Sequence, residues 1–396
     1  MKRVVIALLV SVLLVSAAHA QQSHPAMDVA EMVKNSVVSI DANRVVYGAT
    51  TASFSGDMAS YTRLSRDYLS GFIYTENGYI ITDSRSIENA TILTVWLNDG
   101  TEVEAEFVGI DEEYGIGVIK VDTDEPLVPV KFVQGTYDHF EDIYPYDQGD
   151  PVVAIGYSGG LGGTVTFGVI SAIRNLRNRN QILLPNVIQS DVAINAGNEG
   201  CALFNERGEV IALHDRAAPG MQNTTFFTPI WLGERVANEL IKIYETESEE
   251  DVWHPWLGIK PYAGSMGVLS RGIRTVSDDL KMYMNIPDQY WDVGVLLDNI
   301  WLESPAREYG LLDQDMLLDV TVMDADFTVK HEYQLLTNIS DLEILVTTAE
   351  RDETFIFGVL RNFKYMKVEV VVGQHPGAFS FISGSNISFE DSSEYF

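Results

Sequence analysis

The chain has 396 residues, enough at roughly 150 residues per domain for two or three cores, and its 26 Lys and Arg against 57 Asp and Glu leave a formal net charge of −31. Such a surface repels nucleic-acid phosphate and anionic lipid, which are bound by neutralising negative charge, so no nucleic acid is expected as a partner. A hydrophobic share of 46% with 21% charged residues excludes the composition of a disordered chain, and the single cysteine, Cys201, excludes a disulfide scaffold.

Lys2 and Arg3 precede an apolar run over 4–15, and Ala18-His19-Ala20 has the small-x-small pattern of a signal-peptidase site. Residues 1–20 therefore read as a signal peptide, and the mature chain is expected to be exported, periplasmic or secreted. No later stretch of about 18 apolar residues suggests a membrane span. From 36 to 229 the chain offers short β-rich runs divided by turn signals. Strands are expected within 70–82 around Glu76-Asn77-Gly78, in a hairpin over 90–97 and 101–108 turned by Asn98-Asp99-Gly100, and at 117–121. After an acidic, aromatic interruption at 134–150 they resume at 151–156, 165–173, 181–188, 201–204 and 209–213, a spacing that means barrel or sandwich. Residues 231–244 carry helical periodicity and lead into an acidic run read as a linker over 245–252. This divides the chain into a first domain over 21–244, a second over 253–373 with helical stretches near 277–284, 305–309 and 339–347, and a loose tail over 374–396. Asp138-His139-Phe140-Glu141-Asp142 lacks the spacing of a zinc helix or a calcium loop and reads as a solvated acidic loop, so no metal and no cofactor are expected.

Gly197-Asn198-Glu199-Gly200-Cys201-Ala202-Leu203 resembles the nucleophile loop of the HtrA/Deg family of trypsin-like serine proteases, Gly-Asn-Ser-Gly-Gly-Ala-Leu. The resemblance continues in order through Ser70-Gly71-Phe72-Ile73, Gly78-Tyr79-Ile80-Ile81-Thr82, Val153-Ala154-Ile155-Gly156-Tyr157, Gln189-Ser190-Asp191 and Phe227-Thr228-Pro229. It implies a mainly β fold: two six-stranded β-barrels of the trypsin-like (chymotrypsin) kind, followed by a PDZ domain. It also implies a homotrimer, because such domains usually assemble that way.

Chemistry is a separate matter, since a Ser-His-Asp triad needs a hydroxyl, an imidazole that takes its proton, and a carboxylate that orients the imidazole. Where the family has Thr-Asn-x-His-Val, this chain has Thr82-Asp83-Ser84-Arg85-Ser86, and an arginine stays protonated and cannot act as base. Where the family has Asp-Ile-Ala-Leu it has Gly115-Ile116-Gly117-Val118, and the nucleophile position holds Glu199. The expectation is an inactive homologue with former triad positions Arg85, Gly115 and Glu199. Backbone N–H groups around Gly197, Asn198 and Glu199 would form the former oxyanion hole. A carboxylate at 199 is expected either to fold into that hole or to bridge to Arg85, locking the cleft; solvent exposure of both is the bland alternative. Cys201 reads as a core thiol, and His214-Asp215 stands near where the family lines its specificity pocket.

In the second domain Trp256-Leu257-Gly258-Ile259 resembles the carboxylate-binding loop of HtrA-type PDZ domains, and Ser304-Pro305-Ala306-Arg307-Glu308-Tyr309-Gly310-Leu311 their turn and helix. The resemblance implies binding of a peptide C-terminus by strand addition, with its carboxylate on the N–H groups of Leu257, Gly258 and Ile259. An insertion at 288–292 with Tyr290 and Trp291, and the stretch 324–333, depart from the pattern and leave ligand preference open. The functional expectation is an exported HtrA-like pseudoprotease that binds polypeptide C-termini or unfolded segments as an adaptor, sensor or chaperone-like factor. Its competitors are unconventional hydrolysis through Cys201, His214, Ser84 or Ser86, and a regulatory subunit in mixed assembly with an active HtrA. The basic run Arg174-Asn175-Leu176-Arg177-Asn178-Arg179 is expected as a loop, solvated or docked to an acidic surface, and Glu394-Tyr395-Phe396 is an aromatic end of a type that PDZ grooves accept.

Overall fold

The computed structural model describes residues 24–51, 58–133, 145–157, 163–177, 183–217, 223–248, 250–259, 294–297, 300–337, 339–362, 364–376 and 380–382. The expected signal peptide, the acidic 138–142 cluster, the 277–284 helix, the 288–292 insertion and the aromatic C-terminus lie outside them.

After helix α1 (Pro25–Val33) come β1 (Val37–Thr51), β2 (Met58–Ile73), β3 (Tyr79–Asp83), the one-turn α2 (Ser84–Ile87), β4 (Ile92–Trp96), β5 (Glu102–Asp111) and β6 (Ile116–Val121). The six strands pair in the order β5-β4-β1-β2-β3-β6, and β5 pairs β6 to close a barrel. A short β7 (Lys131–Phe132) crosses to the second barrel. That barrel is built from β8 (Pro151–Gly156), β9 (Thr164–Arg177), β10 (Leu183–Ser190), β11 (Ala202–Phe204), β12 (Glu209–Ala217) and β13 (Thr225–Pro229). Its order is β11-β8-β9-β10-β13-β12, closed by β11 on β12. Closure leaves few free edges, and each barrel fills with apolar side chains: Ile40, Leu69, Ile80 and Ile119 in the first, Val152, Ile170, Leu203 and Ile211 in the second.

A third buried cluster binds the barrels to each other, running from Val37, Phe72 and Ile81 across to Ile155, Leu184 and Leu213. Strand β3 is buried along its whole length, its apolar Tyr79-Ile80-Ile81 followed by the buried polar residues Thr82 and Asp83. Helix α3 (Ile230–Thr246) caps this cluster with Leu232, Val236, Ala237, Leu240 and Ile243, the three-and-four spacing of one helical face. It ends where Glu247 takes a left-handed φ of 48° and its N–H returns to the carbonyls of Ile243 and Tyr244. The stretch expected as a solvated linker thus begins inside a helix, where Tyr79 donates to Glu245 at 2.8 Å, and ends on Val252, fully buried in the inter-barrel cluster.

The second domain contains β14 (Pro255–Trp256), β15 (Val295–Leu296), α4 (Pro305–Glu308), β16 (Met316–Met323), β17 (Val329–Leu335), α5 (Ile339–Thr347), β18 (Thr354–Arg361), β19 (Lys364–Val371) and β20 (Gly373–Gln374). Strands β15-β16-β18-β19 form one sheet with β17 on β16, and β14 pairs β20. Its core of Leu317, Val320, Phe355, Phe357, Leu342 and Leu345 is separate from those of the barrels. Within the expected loose tail, residues 380–382 instead form β21 (Ser380–Ile382), paired antiparallel with β5. The basic run is not a loop up to Arg177 but the end of β9: Arg174 donates to Gln189 at 2.7 Å, and Arg177 pairs with Glu343 of α5. Among the described residues no helix is long and apolar enough to cross a membrane.

Candidate functional site

The loop 195–201 lies between the barrels, and Ser70, at the end of β2, holds it. The Ser70 N–H donates to the Glu199 carbonyl at 2.8 Å, its hydroxyl donates to the Gly197 carbonyl at 2.8 Å and accepts from Tyr157 N–H at 2.8 Å, and its carbonyl accepts from Thr82 Oγ1 at 2.7 Å. Loop turns close through Asn198 N–H to Asn195 O at 2.9 Å and Cys201 N–H to Asn198 O at 3.1 Å. Gly200 sits at φ +76°, and a Cβ there would lie 2.4 Å from the Ser70 carbonyl oxygen and 2.7 Å from Asp83 N. Only glycine meets both demands. The same closeness places residue 199 beside the β3–α2 junction. Asp83 caps α2 by accepting from Ser86 N–H at 3.0 Å and Ser86 Oγ at 2.7 Å, and Arg85 projects from that turn, exposed. Ser84 N–H donates to the Gly115 carbonyl at 3.2 Å, which draws the third position into the same place. Arg85, Gly115 and Glu199, far apart in the chain, thus converge on one cleft.

Glu199 folds back on its own loop: Oε2 accepts from Gly197 N–H at 2.6 Å. A carboxylate held on a backbone N–H is a charge-assisted bond, stronger than a neutral one, so this donor is occupied from within. Of the three courses expected for this side chain (the former oxyanion hole, Arg85 or solvent), the hydrogen bond to Gly197 N–H corresponds to the first. Gly115 sits in a turn at φ +75°, buried, a conformation that non-glycine residues adopt at a cost.

Cys201 is a free, fully buried thiol, and burial together with the nearby Glu199 charge pushes its pKa well above the ordinary range. A thiolate there is therefore disfavoured. Ser84 is buried as well, and Ser86 is committed to Asp83. His214 is 4% exposed, lies edge-on to Phe227 with ring centroids 5.8 Å apart, and neither ring nitrogen has a hydrogen-bond partner among the described residues. Burial, reinforced by the positive charge of Arg85, lowers its pKa to about 4. The imidazole is therefore neutral at neutral pH. Because its folded pKa lies below the unfolded value near 6.5, its contribution to stability is present above about pH 6.5 and is lost as pH falls toward 4. His214→Leu is expected to shrink the drop in melting temperature between pH 7 and pH 4.5 relative to the native chain; an unchanged drop would refute the buried, neutral assignment.

In the second domain, Leu257 is buried, Gly258 sits at φ +76°, and a Cβ at Gly258 would lie 2.1 Å from Ser304 Cβ. The carbonyls are taken: Leu257 O accepts from Ala306 N–H at 3.0 Å and Gly258 O from Trp301 N–H at 2.8 Å. Ile259 bridges antiparallel to Ile300. Among the described residues the N–H groups of Leu257 and Gly258 have no acceptor, which leaves two donors side by side in a turn of the kind that holds an anion. Ser304 Oγ supports the turn, donating to Trp301 O at 2.7 Å and accepting from Arg307 N–H at 3.3 Å to cap α4.

Sequence reading missed the joint between the domains. His254 Nε2 lies 2.7 Å from Asp111 Oδ2, both side chains at most 2% exposed, and the imidazole stacks on Tyr114 with centroids 5.1 Å apart. Arg235 of α3 lies over the same Tyr114 ring and donates to the Thr347 carbonyl of α5 at 3.0 Å, while Trp253 Nε1 donates to Ala349 O at 2.8 Å. An isolated His and Asp 143 positions apart carry no spacing signal; only the fold brings His254 to Asp111 at the end of β5.

The family profile of the trypsin-like peptidase domain matches residues 69–213. A "probable periplasmic serine endoprotease DegP-like" of Halomonas elongata is 33% identical over 321 residues, 80% of this chain and 58% of its own length. The "putative serine protease HhoB" of Synechocystis sp. is 30% identical over 312 residues, 78% of this chain and 66% of its own. The chain therefore spans roughly three fifths of the length of these curated relatives. Among solved structures, "HtrA-type protease AlgW with decapeptide" superposes with a TM-score of 0.61 at 23% identity, covering 89% of this chain and 99% of that one. A serine endoprotease from Yersinia pestis superposes with a TM-score of 0.55 at 22% identity, covering 88% and 98%.

Proposed function

From its similarity to DegP-like serine endoproteases and to the trypsin-like peptidase domain over residues 69–213, we propose that the chain is an exported pseudoprotease of HtrA type that holds polypeptide ends rather than cutting chains. The observation that carries the reading is Glu199 at the nucleophile position with its carboxylate on Gly197 N–H at 2.6 Å. Hydrolysis of an amide needs a nucleophile and an N–H pair free to receive the oxyanion. Here one donor already carries a negative charge, which repels a second. Arg85 cannot accept a proton, and Gly115 has no carboxylate to orient one.

Binding is assigned to the second domain, read as a PDZ domain. The adjacent N–H groups of Leu257 and Gly258 would receive a terminal carboxylate, and a peptide backbone would extend from Ile259 by strand addition. The decapeptide that accompanies AlgW belongs to that protein, and supports peptide binding here by analogy. The periplasmic address in the DegP-like relative's name accords with export, and the resemblance to HtrA/Deg proteins implies a homotrimer or a mixed assembly with an active relative.

The test is fluorescence anisotropy with labelled peptides that differ only in a free or an amidated C-terminus. The native chain is expected to prefer the free carboxylate by tenfold or more. Gly258→Val, which both strains the backbone and crowds Ser304, is expected to abolish that preference while leaving the barrels folded by near-ultraviolet circular dichroism. Equal affinity for the two peptides would reject the carboxylate-binding reading.

A further inference from the structure

A cavity of about 300 Å³ lies at the domain joint, lined neither by the cleft residues nor by Leu257, Gly258 and Ile259. Its wall comes from α3, from the connection over 250–253 and from the turn after α5, so the barrels and the second domain both contribute. Ile243, Trp253 and Ala349 are buried and give it an apolar lining. A volume of this size is at the lower end for sites that take a small organic molecule.

Arg235 lines the same cavity, half-buried. Its Nη1 donates to the Thr347 carbonyl at 3.0 Å, and its guanidinium stands 5.6 Å from the Tyr114 ring centroid. Nε and Nη2, both closed to solvent, have no acceptor among the described residues. They are the two donors of one edge of the planar guanidinium, the edge that receives both oxygens of a carboxylate. A cationic edge buried without an acceptor is costly, and a ligand that supplies one recovers that cost. The carboxylates around the cavity do not supply it. Glu239 accepts from Trp253 N–H at 2.7 Å and from Arg351 Nη2 at 3.4 Å, Glu350 pairs with Lys330 at 3.3 Å, and Glu250 is exposed. Lys242 and Arg351 stand exposed in the same lining, so further positive charge is at hand for an anion that enters.

We propose that this cavity is a binding site for a small amphiphilic carboxylate, with the carboxylate on Nε–H and Nη2–H of Arg235 and the apolar body against Trp253, Ile243 and Ala349. Because that edge is closed to solvent, binding turns the guanidinium toward the cavity it lines. Phosphate matches the same pair of donors, but its remaining charged oxygens would be pressed on apolar walls, whereas a carboxylate ends in one planar pair of oxygens and leaves a hydrocarbon body for them. A ligand held by α3, by 250–253 and by the turn after α5 at once fastens the second domain to the barrels. The site shares no residue with the turn at Gly258 and does not rest on peptide binding by the second domain.

The test is isothermal titration of the full chain at neutral pH with sodium hexanoate. Hexanol and hexylammonium chloride serve as the same body without the carboxylate, and inorganic phosphate as an anion without the body. Hexanoate is expected to bind saturably and the other three at least tenfold more weakly. Arg235→Lys keeps the charge but loses the two-donor edge, and is expected to weaken hexanoate by tenfold or more. Lys242→Glu, at an exposed position, is expected to weaken it about threefold or more. Gly258→Val, which closes the turn of the second domain to a carboxylate, is expected to bind hexanoate as the native chain does. Loss of binding in Gly258→Val would place the carboxylate on that turn and overturn the cavity site. So would the absence of saturable binding to the native chain, or hexanol or hexylammonium binding as tightly as hexanoate. Phosphate binding as tightly as hexanoate would reject the amphiphilic class. Native affinity in Arg235→Lys would also overturn the site; where that variant fails to fold, native affinity in Lys242→Glu does so.

Discussion

Glu199→Ser alone is expected to leave an unfolded, fluorescently quenched protein substrate uncut and to take up no fluorophosphonate label. The substitution restores a hydroxyl and clears the carboxylate from Gly197 N–H, but the position that should supply a base is still Arg85, exposed and cationic. A serine hydroxyl without an imidazole to take its proton is a poor nucleophile. The informative comparison is the triple change Arg85→His, Gly115→Asp, Glu199→Ser. Its rate is expected to exceed that of the single change by roughly 10⁴-fold or more, since a triad acts as a unit and loss of one member costs about 10⁴- to 10⁶-fold. It is also expected to be less stable than the native chain by about 1 kcal/mol, because Gly115 sits at φ +75° and an aspartate there is held in the left-handed region. Cleavage by the native chain, or by Glu199→Ser alone at a rate near that of the triple variant, would defeat the pseudoprotease reading. Labelling of the native chain by an iodoacetamide probe would redirect attention to Cys201, against its burial.

Asp111→Ala is expected to be the most damaging single change at the domain joint, costing about 3–5 kcal/mol, because removal of one partner leaves the other buried without its charge. Burial alone would hold the imidazole of His254 neutral; the negative charge of Asp111, 2.7 Å from Nε2, together with the Val252 carbonyl at Nδ1, outweighs it and raises the pKa above the ordinary value of 6.5. A histidine whose folded pKa exceeds its unfolded one contributes fully below the unfolded pKa and loses that contribution as pH rises through the folded pKa. The difference in unfolding free energy between the native chain and Asp111→Asn is therefore expected to be larger at pH 6 than at pH 9, measured by urea denaturation. A difference that is flat or grows with pH would mean that His254 is not charged in the folded protein. His214 shows the opposite sign, so His214→Leu and Asp111→Asn separate the two imidazoles.

The strands around the cleft were legible because local chemistry writes them plainly. Asn98-Asp99-Gly100 turns a hairpin, Gly200 is required by a left-handed loop pressed against Ser70, and the alternation or continuity of apolar residues distinguishes half-buried from buried strands. Helix α1 and the length of the β1–β2 hairpin were not anticipated, although Pro25 at the start of α1, Asp28 in its first turn and the Val29–Val33 spacing signal the helix. The boundary after residue 244 was drawn from charge, and charge misled there: Glu245 lies inside a helix and accepts from Tyr79, and Val252 packs in the inter-barrel core. A run of acidic residues describes the face turned to water and is silent on the one side chain that turns inward.

By itself the sequence placed short strands that mean a barrel or a sandwich; its resemblance to the HtrA/Deg family implied two barrels, the former triad positions Arg85, Gly115 and Glu199, and the loop at Gly258. An arginine is no base in any fold. What only the tertiary structure decided was where free rotors and distant partners come to rest: that Glu199 turns to Gly197 N–H, that His214 is sealed away from water, that His254 meets Asp111, and that residues 380–382 return to the first barrel. Those outcomes hang on differences of a few kcal/mol between solvation and burial. Such differences arise only once packing has chosen which groups lose their water.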